Sequence, residues 1–490
     1  MAKHTLNLKK YTETALIFLG LFIVFLWVGL SAYGLLKPLP NGIDYESPIY
    51  SVPASSIAFF NDRTFINKSN ELTSDQRIFD SMMLLIDDAK EFIMIDMFLI
   101  NDFKGTESIA HRSLSSELMQ KLINKKNDNK NMKVIVITDP INTAYGSDPS
   151  EQLQQMEDAG ITVITTDLEP LRESNFIYAG LYQIFFQWWG NSENGHVAHP
   201  LDSGKKSTIR TYLHLANFKA NHRKTMLLDD GNGHFISMIT SFNPHDGSSR
   251  HSNVAILVKD GIWKDLYQTE SAVAAMSNKP LQPLQFEKFT EEKGLAEVQL
   301  LTENAIKRSL LSELRQVQEN DEVNIAMFYL SDTDVIEALL KASERKATIR
   351  IILDPNKEAF GHEKNGIPNR AAANLLFERS HGRIEVKWYD THGEQFHTKF
   401  IMIKRNGKVI LFVGSANLTR RNLDNFNLET DVKLSVDERA PIAKQVNEYF
   451  ENVWGNKGYN YVVPFITYRD DSLKGYILLY IQEELGLGTF

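Results

Sequence analysis

The apolar positions of this chain alternate between a helical period and a strand-like one. Residues 74–90 show the helical period, in which apolar side chains recur three or four positions apart. The residues on that face are Ile78, Phe79, Met82, Met83 and Ile86. Thr73 and Gln76 have the spacing of a capping box. The pattern predicts a helix from Ser74 to Lys90.

Two apolar runs of strand length follow this helix. The first spans residues 92–100, and the second spans residues 134–139 and is stopped by Pro140. A helical stretch near residues 113–124 separates them. Apolar strands that alternate with helices are typical of a sheet with helices on both faces. We therefore expect an α/β fold.

The same order of elements returns in the second half of the chain. The matching segments are 95–100 with 325–330, 134–140 with 349–355, and 163–167 with 386–390. Similar local sequences in the same order indicate an internal duplication. We predict a first repeat in residues 41–285 and a second repeat, with a C-terminal tail, in residues 286–490.

An uncharged apolar run of 22 residues, 15–36, precedes both repeats. About 20 apolar residues cross a bilayer core as a helix. Three lysines come before the run, whereas acidic residues soon follow Lys37. The positive-inside bias therefore predicts a single-pass membrane protein, with residues 1–14 in the cytoplasm and both repeats on the extracytoplasmic side.

A cleaved signal peptide is the alternative for this run, because residues 32–34 (Ala-Tyr-Gly) have a small-x-small shape. The run is longer than the ~7–15 residues of a typical signal core, which favours an uncleaved anchor. Residues 37–42 then form the linker out of the membrane. We assign residues 1–40 to the cytoplasmic segment, the transmembrane anchor and the linker.

The first repeat carries an insertion at about residues 170–205 that the second lacks. Its apolar part, residues 176–189, places Gln183 and Gln187 on one helical face among mostly apolar side chains. This segment is too short to span a bilayer. Two interpretations follow. The segment lies in the membrane interface and frames a lipid-accepting groove, or it packs as an ordinary buried helix.

Each repeat also contains a His-x-Lys tripeptide at the start of an apolar run, and a small polar turn ending in Asn follows each. The residues are His222, Lys224, Ser241 and Asn243 in the first repeat and His397, Lys399, Ser415 and Asn417 in the second. Side chains two apart on a strand share a face, so imidazole and ammonium project together. One tripeptide would mean little, but two in matching contexts indicate a duplicated site.

This duplicated HxKxxxxD…GSxN pattern resembles that of the phospholipase D superfamily. The resemblance implies two tandem α/β/α sandwich repeats related by a pseudo-two-fold axis, with the site between them, so that a monomer suffices. It implies that His222 is the nucleophile and His397 the general acid. It also implies an acidic residue that hydrogen-bonds the His of the opposite half. Glu429, twelve residues after Asn417, matches and is expected to orient His222.

The residue types suit phosphodiester chemistry. One imidazole attacks phosphorus and the other protonates the departing alkoxide. Lys224 and Lys399 supply positive charge to the non-bridging oxygens. The amides of the two motif asparagines, with the hydroxyls of Ser241 and Ser415, add donors. The sequence has no HExxH motif and no Cys/His ligand cluster, so we predict no metal requirement and no cofactor.

Three positions depart from the pattern. Ala255 stands twelve residues after Asn243, so His397 is expected to lack its carboxylate, with Asn253 or another group in its place. Asp229 ends the first motif as a structural residue, but Lys404 stands at the corresponding place in the second. Thr240 replaces the motif glycine. Both His–Lys pairs are retained, so we expect an active enzyme.

Other polar residues have ordinary explanations. Two interpretations are open for His245 and for His251: each lines the entrance to the site or lies in a turn, and a solvated turn is the commoner meaning of the His-Asp-Gly that begins at His245. Asp139 and Asp354 each precede a proline and end a strand. Lys125 with Lys126 fits a solvated helix face better than a nucleic-acid patch.

Composition narrows the choice of partner. The 490 residues are 43 % apolar and 23 % charged, a globular composition, and the net charge of −9 weighs against a nucleic-acid backbone as partner. There is no cysteine, which excludes disulfides and cysteine-ligated metal sites. The sequence predicts a phosphodiesterase or phosphatidyltransferase that acts on membrane phospholipid, by hydrolysis to phosphatidic acid or by transfer as in cardiolipin synthases. The alternatives are a membrane-anchored nuclease of the same superfamily and a degenerate phosphate-binding module.

Overall fold

The computed structural model describes residues 2–104, 111–202, 204–284, 293–359 and 362–488, without the side chains of residues 2–9, 358, 359 and 362. The helices are α1 Ala2–Leu36, α2 Arg77–Asp88, α3 Leu114–Asp128, α4 Glu151–Asp158, α5 Phe176–Phe185, α6 Ile209–Leu215, α7 Trp263–Met276, α8 Asn304–Gln316, α9 Thr333–Glu344, α10 Asn369–Arg379, α11 Arg420–Leu423, α12 Pro441–Trp454 and α13 Leu473–Glu484.

The strands of the first half are β1 Tyr50–Val52, β2 Ile57–Ile66, β3 Leu72–Asp75, β4 Phe92–Met97, β5 Lys133–Thr138, β6 Thr162–Thr165, β7 Val197–Ala198, β8 Lys206–Ser207, β9 Lys224–Asp229, β10 Phe235–Thr240 and β11 Asn253–Lys259. Those of the second half are β12 Ala296–Thr302, β13 Glu322–Met327, β14 Thr348–Leu353, β15 Glu358–Ala359, β16 His362–Glu363, β17 Ile384–Tyr389, β18 Lys399–Arg405, β19 Lys408–Gly414, β20 Thr430–Asp437 and β21 Val462–Pro464.

The two large sheets confirm the predicted duplicated α/β fold. The first has the strand order β3-β2-β11-β10-β9-β4-β5-β6, and the second has the order β1-β12-β20-β19-β18-β13-β14-β17-β21. Seven neighbouring strands therefore follow the same path in both halves. In each half the motif strand (β9 or β18) runs antiparallel to the first buried strand (β4 or β13), which pairs in parallel with the next.

The two sheets face one another across a shared apolar core. Buried side chains of both sheets meet there, among them Leu227, Ile239, Ile256, Phe400, Leu411 and Val432, together with residues of α7 and α12. A second core packs α2, α3 and α4 on the outer face of the first sheet. A third packs α8, α9 and α10 on the outer face of the second. This layering brings the ends of β9 and β18 together.

The chain exchanges one strand between its halves. Residues 50–52 precede the first sheet, yet β1 pairs antiparallel with β12 of the second. The backbone N–H of Ser47 also donates to the carbonyl of Leu300 at 3.0 Å. Residues 50–52 therefore join the second sheet although they lie within the predicted first repeat, and the predicted boundary at residues 285–286 lies outside the described residues.

The predicted helix over residues 74–90 is shorter in the structure, because residues 72–75 pair with β2 as an edge strand. The expected capping box is therefore wrong: Thr73 is extended, and Gln76 makes no side-chain cap. The buried carboxylate of Asp62 instead accepts the N–H of Ile78 at 3.0 Å, which satisfies one of the free amides of the first turn.

Residues 10–36 of α1 are long and apolar enough to cross a membrane. The C-terminal third of α1 packs against α5: Trp27 Nε1 donates to the carbonyl of Ile177 at 2.9 Å, and Gly180 N donates to Ser31 Oγ at 3.1 Å. A Cβ atom at Gly180 would lie 2.3 Å from the Trp27 carbonyl, so this approach requires glycine. The predicted insertion helix thus exists and is joined to the candidate span.

Candidate active site

Each motif strand is entered by a segment that pairs with the opposite half. His222 N donates to the carbonyl of Leu428 at 2.9 Å, and Leu428 N donates to the carbonyl of Ala220 at 3.0 Å. In the other direction, Ser252 N donates to the carbonyl of Gln395 at 3.0 Å. The two contacts are counterparts. Each half therefore fixes the backbone next to the other half's histidine.

Glu429 supports His222 across this interface. Its Oε1 lies 2.8 Å from His222 Nδ1. Ser415 Oγ and Asn422 Nδ2 also donate to this carboxyl group. Burial raises the pKa of Glu429, and the nearby Lys224 ammonium and the donors aimed at its oxygens oppose that rise. The convergence of three donors favours a carboxylate that accepts the Nδ1 proton.

Asn253 supports His397 in the corresponding way. Its Oδ1 lies 3.1 Å from His397 Nδ1, while its Nδ2 donates to the carbonyl of His251 at 3.0 Å. Ser241 Oγ donates to the same Oδ1 at 3.0 Å. These two contacts fix the orientation of the amide, so its oxygen faces the imidazole.

The expectation that Ala255 occupies the counterpart position of Glu429 is wrong. Ser241 N pairs with the carbonyl of Val254 and Ser415 N with that of Thr430, so Asn253 and Glu429 are structural counterparts. The chain between the serine and the supporting residue is two residues longer in the second half, with separations of 12 and 14. Counting along the sequence therefore selected the wrong residue.

Ser241 and Ser415 have a different role in the structure from the predicted one. Both hydroxyl protons are donated to the side chains that support the histidines. Each serine therefore holds the supporting residue in place, and the expected hydroxyl donation to substrate is not available in this geometry.

The motif lysines are buried and constrained. Lys224 Nζ donates to the carbonyl of His222 at 2.7 Å and lies 5.1 Å from the Phe98 ring centre. Lys399 repeats both contacts, with the carbonyl of His397 at 3.0 Å and the Phe328 ring at 5.0 Å. Burial lowers the pKa of Lys224 to about 7 and lowers that of Lys399 as well. An anion between them would favour both ammonium forms.

The two histidines share these surroundings. Burial lowers the pKa of His222 and of His397 well below the usual value, and the charges of Lys224 and Lys399 lower both further. Phe98 and Phe328 each contact the histidine of their own half, with ring centres 5.0 Å apart in both. The lowered pKa values favour the neutral form of both imidazoles, and each imidazole meets its aromatic ring at an angle, 61° in the first half and 58° in the second.

The motif asparagines differ in their contacts. Asn243 Oδ1 accepts the N–H of Leu99 at 3.2 Å. Asn417 Oδ1 is buried and has no hydrogen-bond partner among the described residues. Both side chains are almost fully buried beside the motif strands.

Asp139 and Asp354 do more than end their strands. Asp139 Oδ2 accepts the N–H of Asn221 at 2.7 Å, and Asp354 Oδ2 accepts the N–H of Phe396 at 2.8 Å. In each half the acceptor therefore fixes the residue directly before the motif histidine. Burial raises the pKa of Asp139 to about 7 and that of Asp354 to about 6. The duplicated Asp-Pro was the signal for this role in the sequence.

Arg223, between His222 and Lys224, was missed by the sequence reasoning. Its guanidinium is fully buried and lies 2.8 Å from Glu303 Oε1 and 3.5 Å from Glu270 Oε2. Glu303 Oε1 also accepts the N–H of Glu429 at 3.0 Å. The pair therefore links the first-half motif to the residue that supports His222. An arginine inside an apolar strand was the available signal.

The motif ends are held differently in the two halves. The carboxylate of Asp229 accepts the N–H groups of Lys90, Glu91 and Phe92, as expected for a structural residue. At the corresponding position, Lys404 Nζ lies 3.0 Å from Glu322 Oε2. Lys404, which stands in place of the motif Asp, is therefore paired with the carboxylate of Glu322, the residue opposite it on β13.

His245 and His251 are buried, not solvated as expected. Asp246, in the same turn, accepts the N–H of Ser115 at 3.1 Å. His251 Nδ1 accepts the N–H of Gln395 at 3.3 Å, and its ring lies 6.0 Å from that of His397. This turn therefore forms part of the wall beside His397.

The comparisons with known proteins concern the fold and the second half of the chain. Residues 310–454 match the family model described as "Cardiolipin synthase, PLD-like domain". No curated protein matches the chain. Among solved structures, phosphatidylserine synthase of Haemophilus influenzae Rd KW20 is similar, with a TM-score of 0.52 and 10 % identity, over 94 % of this chain and 98 % of that one. At this identity the likeness shows the fold.

A second structure, the phospholipase D family member Nuc of Salmonella typhimurium, is 20 % identical over 33 % of this chain and 95 % of its own. Its TM-score of 0.26 is too low to support an inference.

Proposed function

We propose that this chain, whose residues 310–454 match a phospholipase D-like family model, is a member of the phospholipase D superfamily and acts as a phosphodiesterase or phosphatidyltransferase on membrane phospholipids through a phosphohistidine. The observation that carries the proposal is the crossed support of the two histidines, His222 by Glu429 and His397 by Asn253.

The first step follows from that support. Glu429 holds the proton on Nδ1 of His222, which leaves the Nε2 lone pair for attack on phosphorus. A bond forms between Nε2 and phosphorus as the bond from phosphorus to the leaving oxygen breaks. The imidazolium form of His397, which the negative charge of the bound diester favours, gives its Nε2 proton to that oxygen. Lys224 and Lys399 offset the charge on the non-bridging oxygens.

The second step reverses these roles. His397, now neutral, takes a proton from water or an alcohol, whose oxygen attacks phosphorus while the bond to Nε2 breaks. Water gives hydrolysis to phosphatidic acid, and an alcohol such as the headgroup of phosphatidylglycerol gives transfer. Both outcomes use the same residues, and in this proposal one chain supplies all of them.

The lipid substrate class is supported by α1 and by the description of the matched family. The lysines before the candidate span over residues 10–36 favour a topology with the N-terminus in the cytoplasm and both sheets on the extracytoplasmic side. The net charge of −9 makes nucleic acid the less favoured substrate.

The test uses full-length protein in detergent and its His222→Ala variant. Each is incubated with phosphatidylglycerol and, separately, with a single-stranded oligonucleotide, with EDTA present. We expect phosphatidic acid or cardiolipin from the wild type only. Cleaved oligonucleotide with unchanged lipid would replace the lipid substrate by nucleic acid. No turnover of either would indicate a phosphate-binding module.

A further inference from the structure

The helix α5 is amphipathic in the reverse sense for a protein in water. Its polar Gln183 is buried and donates to the buried carboxylate of Glu173 at 2.7 Å. Four apolar side chains of α5 and of the residues after it are exposed, with exposed fractions of 43 % for Ile177, 46 % for Phe185, 76 % for Trp188 and 51 % for Trp189. Such a face is costly in water and favourable in a lipid interface.

The contacts of α5 set its depth relative to the candidate span. It packs against Trp27 and Ser31 of α1, and Glu173 N donates to the carbonyl of Gly34 at 3.0 Å. At a rise of about 1.5 Å per residue, Trp27 lies about 15 Å from Lys37 along the helix. The contacts of α5 with Trp27, Ser31 and Gly34 therefore lie in the outer half of the span, within about 15 Å of its end.

Two cationic side chains lie where α1 ends. Lys37 Nζ donates to the carbonyl of Glu169 at 2.7 Å, and Arg172 Nε donates to the carbonyl of Lys37 at 2.8 Å. Both cations lie at the end of α1, next to the start of the insertion. Cationic side chains at the end of a span are typical of the headgroup layer.

We propose that residues 176–189 form an interfacial platform that is seated in the outer leaflet beside α1. The occupant of the exposed apolar face is the bilayer, because the face is continuous with the candidate span that it packs against. The platform carries four exposed apolar side chains, and α1 adds Val24, Phe25 and Val28 at the same level. The inference rests on α1 crossing the membrane and not on the chemistry proposed above.

The platform is also joined to the active-site strand. Glu173 Oε1 lies 3.3 Å from Lys219 Nζ, and both side chains are buried. Lys219 is three residues before His222. Beside this ion pair lies a pocket of about 370 Å³ lined by residues that include Tyr145, Leu168 and Asn217. The platform therefore holds one side of the site against the bilayer, which shortens the path of a lipid substrate to His222.

The test exploits the absence of cysteine in the chain. Single-cysteine variants Trp188→Cys and Phe185→Cys of the full-length protein are spin-labelled and placed in phosphatidylcholine–phosphatidylglycerol nanodiscs. Leu84→Cys is the matched control, because Leu84 is an exposed apolar residue, 66 % accessible, on α2. That helix packs on β2 and β11, near the opposite edge of the first sheet from the insertion.

Collision with oxygen and with a water-soluble nickel chelate is measured for each label. We expect several-fold lower nickel accessibility and higher oxygen accessibility at positions 185 and 188 than at 84. Nickel accessibility at 185 and 188 equal to that at 84 would overturn the platform. The measurement needs no turnover, so a failure of the proposed reaction leaves its result intact.

Discussion

The two halves of this protein share a fold but support their histidines differently. In the first half His222 is paired with a carboxylate, whereas in the second His397 is paired with an amide. A carboxylate stabilises the cation that forms when an imidazole attacks, and a neutral amide leaves the imidazolium more acidic. The difference teaches that a duplicated site can divide nucleophile and acid between two otherwise equivalent positions.

Replacement of the two histidines should give the largest difference in turnover between the two halves. His222→Ala removes the proposed nucleophile and should lower turnover by about 10⁴-fold or more. His397→Ala should lower turnover of an alkyl diester by about 10²–10⁴-fold, because the leaving group is then unprotonated. Single-turnover kinetics with a 4-nitrophenyl ester, whose leaving group needs no proton, should restore a burst in His397→Ala alone. A burst in His222→Ala would contradict the assignment.

The residue between the motif histidine and the motif lysine should contribute strongly to stability in the first half only. Arg223→Met leaves Glu303 and Glu270 without their buried cation and should cost about 3–5 kcal/mol of folding free energy. The counterpart Thr398 is buried, and its hydroxyl has no partner among the described residues. Thr398→Val should therefore change stability by less than about 1 kcal/mol. Denaturant unfolding of the detergent-solubilised variants measures both, and similar losses would argue against the asymmetry.

Replacement of the residues that support the two histidines should also lower turnover unequally. Glu429→Gln keeps the shape but loses a charge-assisted hydrogen bond, so turnover should fall by about 10²-fold. Asn253→Ala should cost less, because it removes a neutral acceptor. The comparison requires turnover of both variants at one pH with unchanged unfolding midpoints. A greater loss in Asn253→Ala would reverse the roles of the two histidines.

A carboxylate at position 253 should shift the pH profile. Burial and the two lysines lower the pKa of His397, and the general acid loses activity as pH rises through its pKa. Asn253→Asp adds a negative charge at Nδ1 and should raise that pKa by about 1 unit. The alkaline limb of the profile should therefore move to higher pH, whereas Asn253→Ala should not produce an upward shift. A downward shift in Asn253→Asp would refute this account of His397.

Much of the fold was predictable because its signals are local. Buried strands appear as apolar runs, and the duplication appears as the same order of segments in both halves. Both motif strands were found at β9 and β18. The exchange of β1 was not predictable, since a three-residue strand carries no mark of the sheet it joins.

The candidate site was predictable in its motif residues and not in their supports. Lys224 and Lys399 begin the strands β9 and β18, and His222 and His397 lie two residues before them, at the starts of the predicted apolar runs. The identity of Asn253 depends on a turn that differs by two residues between halves. The partner of Arg223 lies 80 residues away, in a contact that only the folded chain creates. The burial of Gln183 on α5 likewise could not be predicted, because the sequence does not show which face of the helix is covered.

The most direct test of the account is the identity of the covalently modified histidine. The His397→Ala variant is mixed with a phosphatidyl 4-nitrophenyl ester, quenched in alkali during the burst and digested for peptide mass spectrometry. The account predicts a phosphatidyl adduct on the peptide that contains His222. A burst of nitrophenolate without that adduct, or with an adduct elsewhere in the chain, would contradict the division of roles between the two halves.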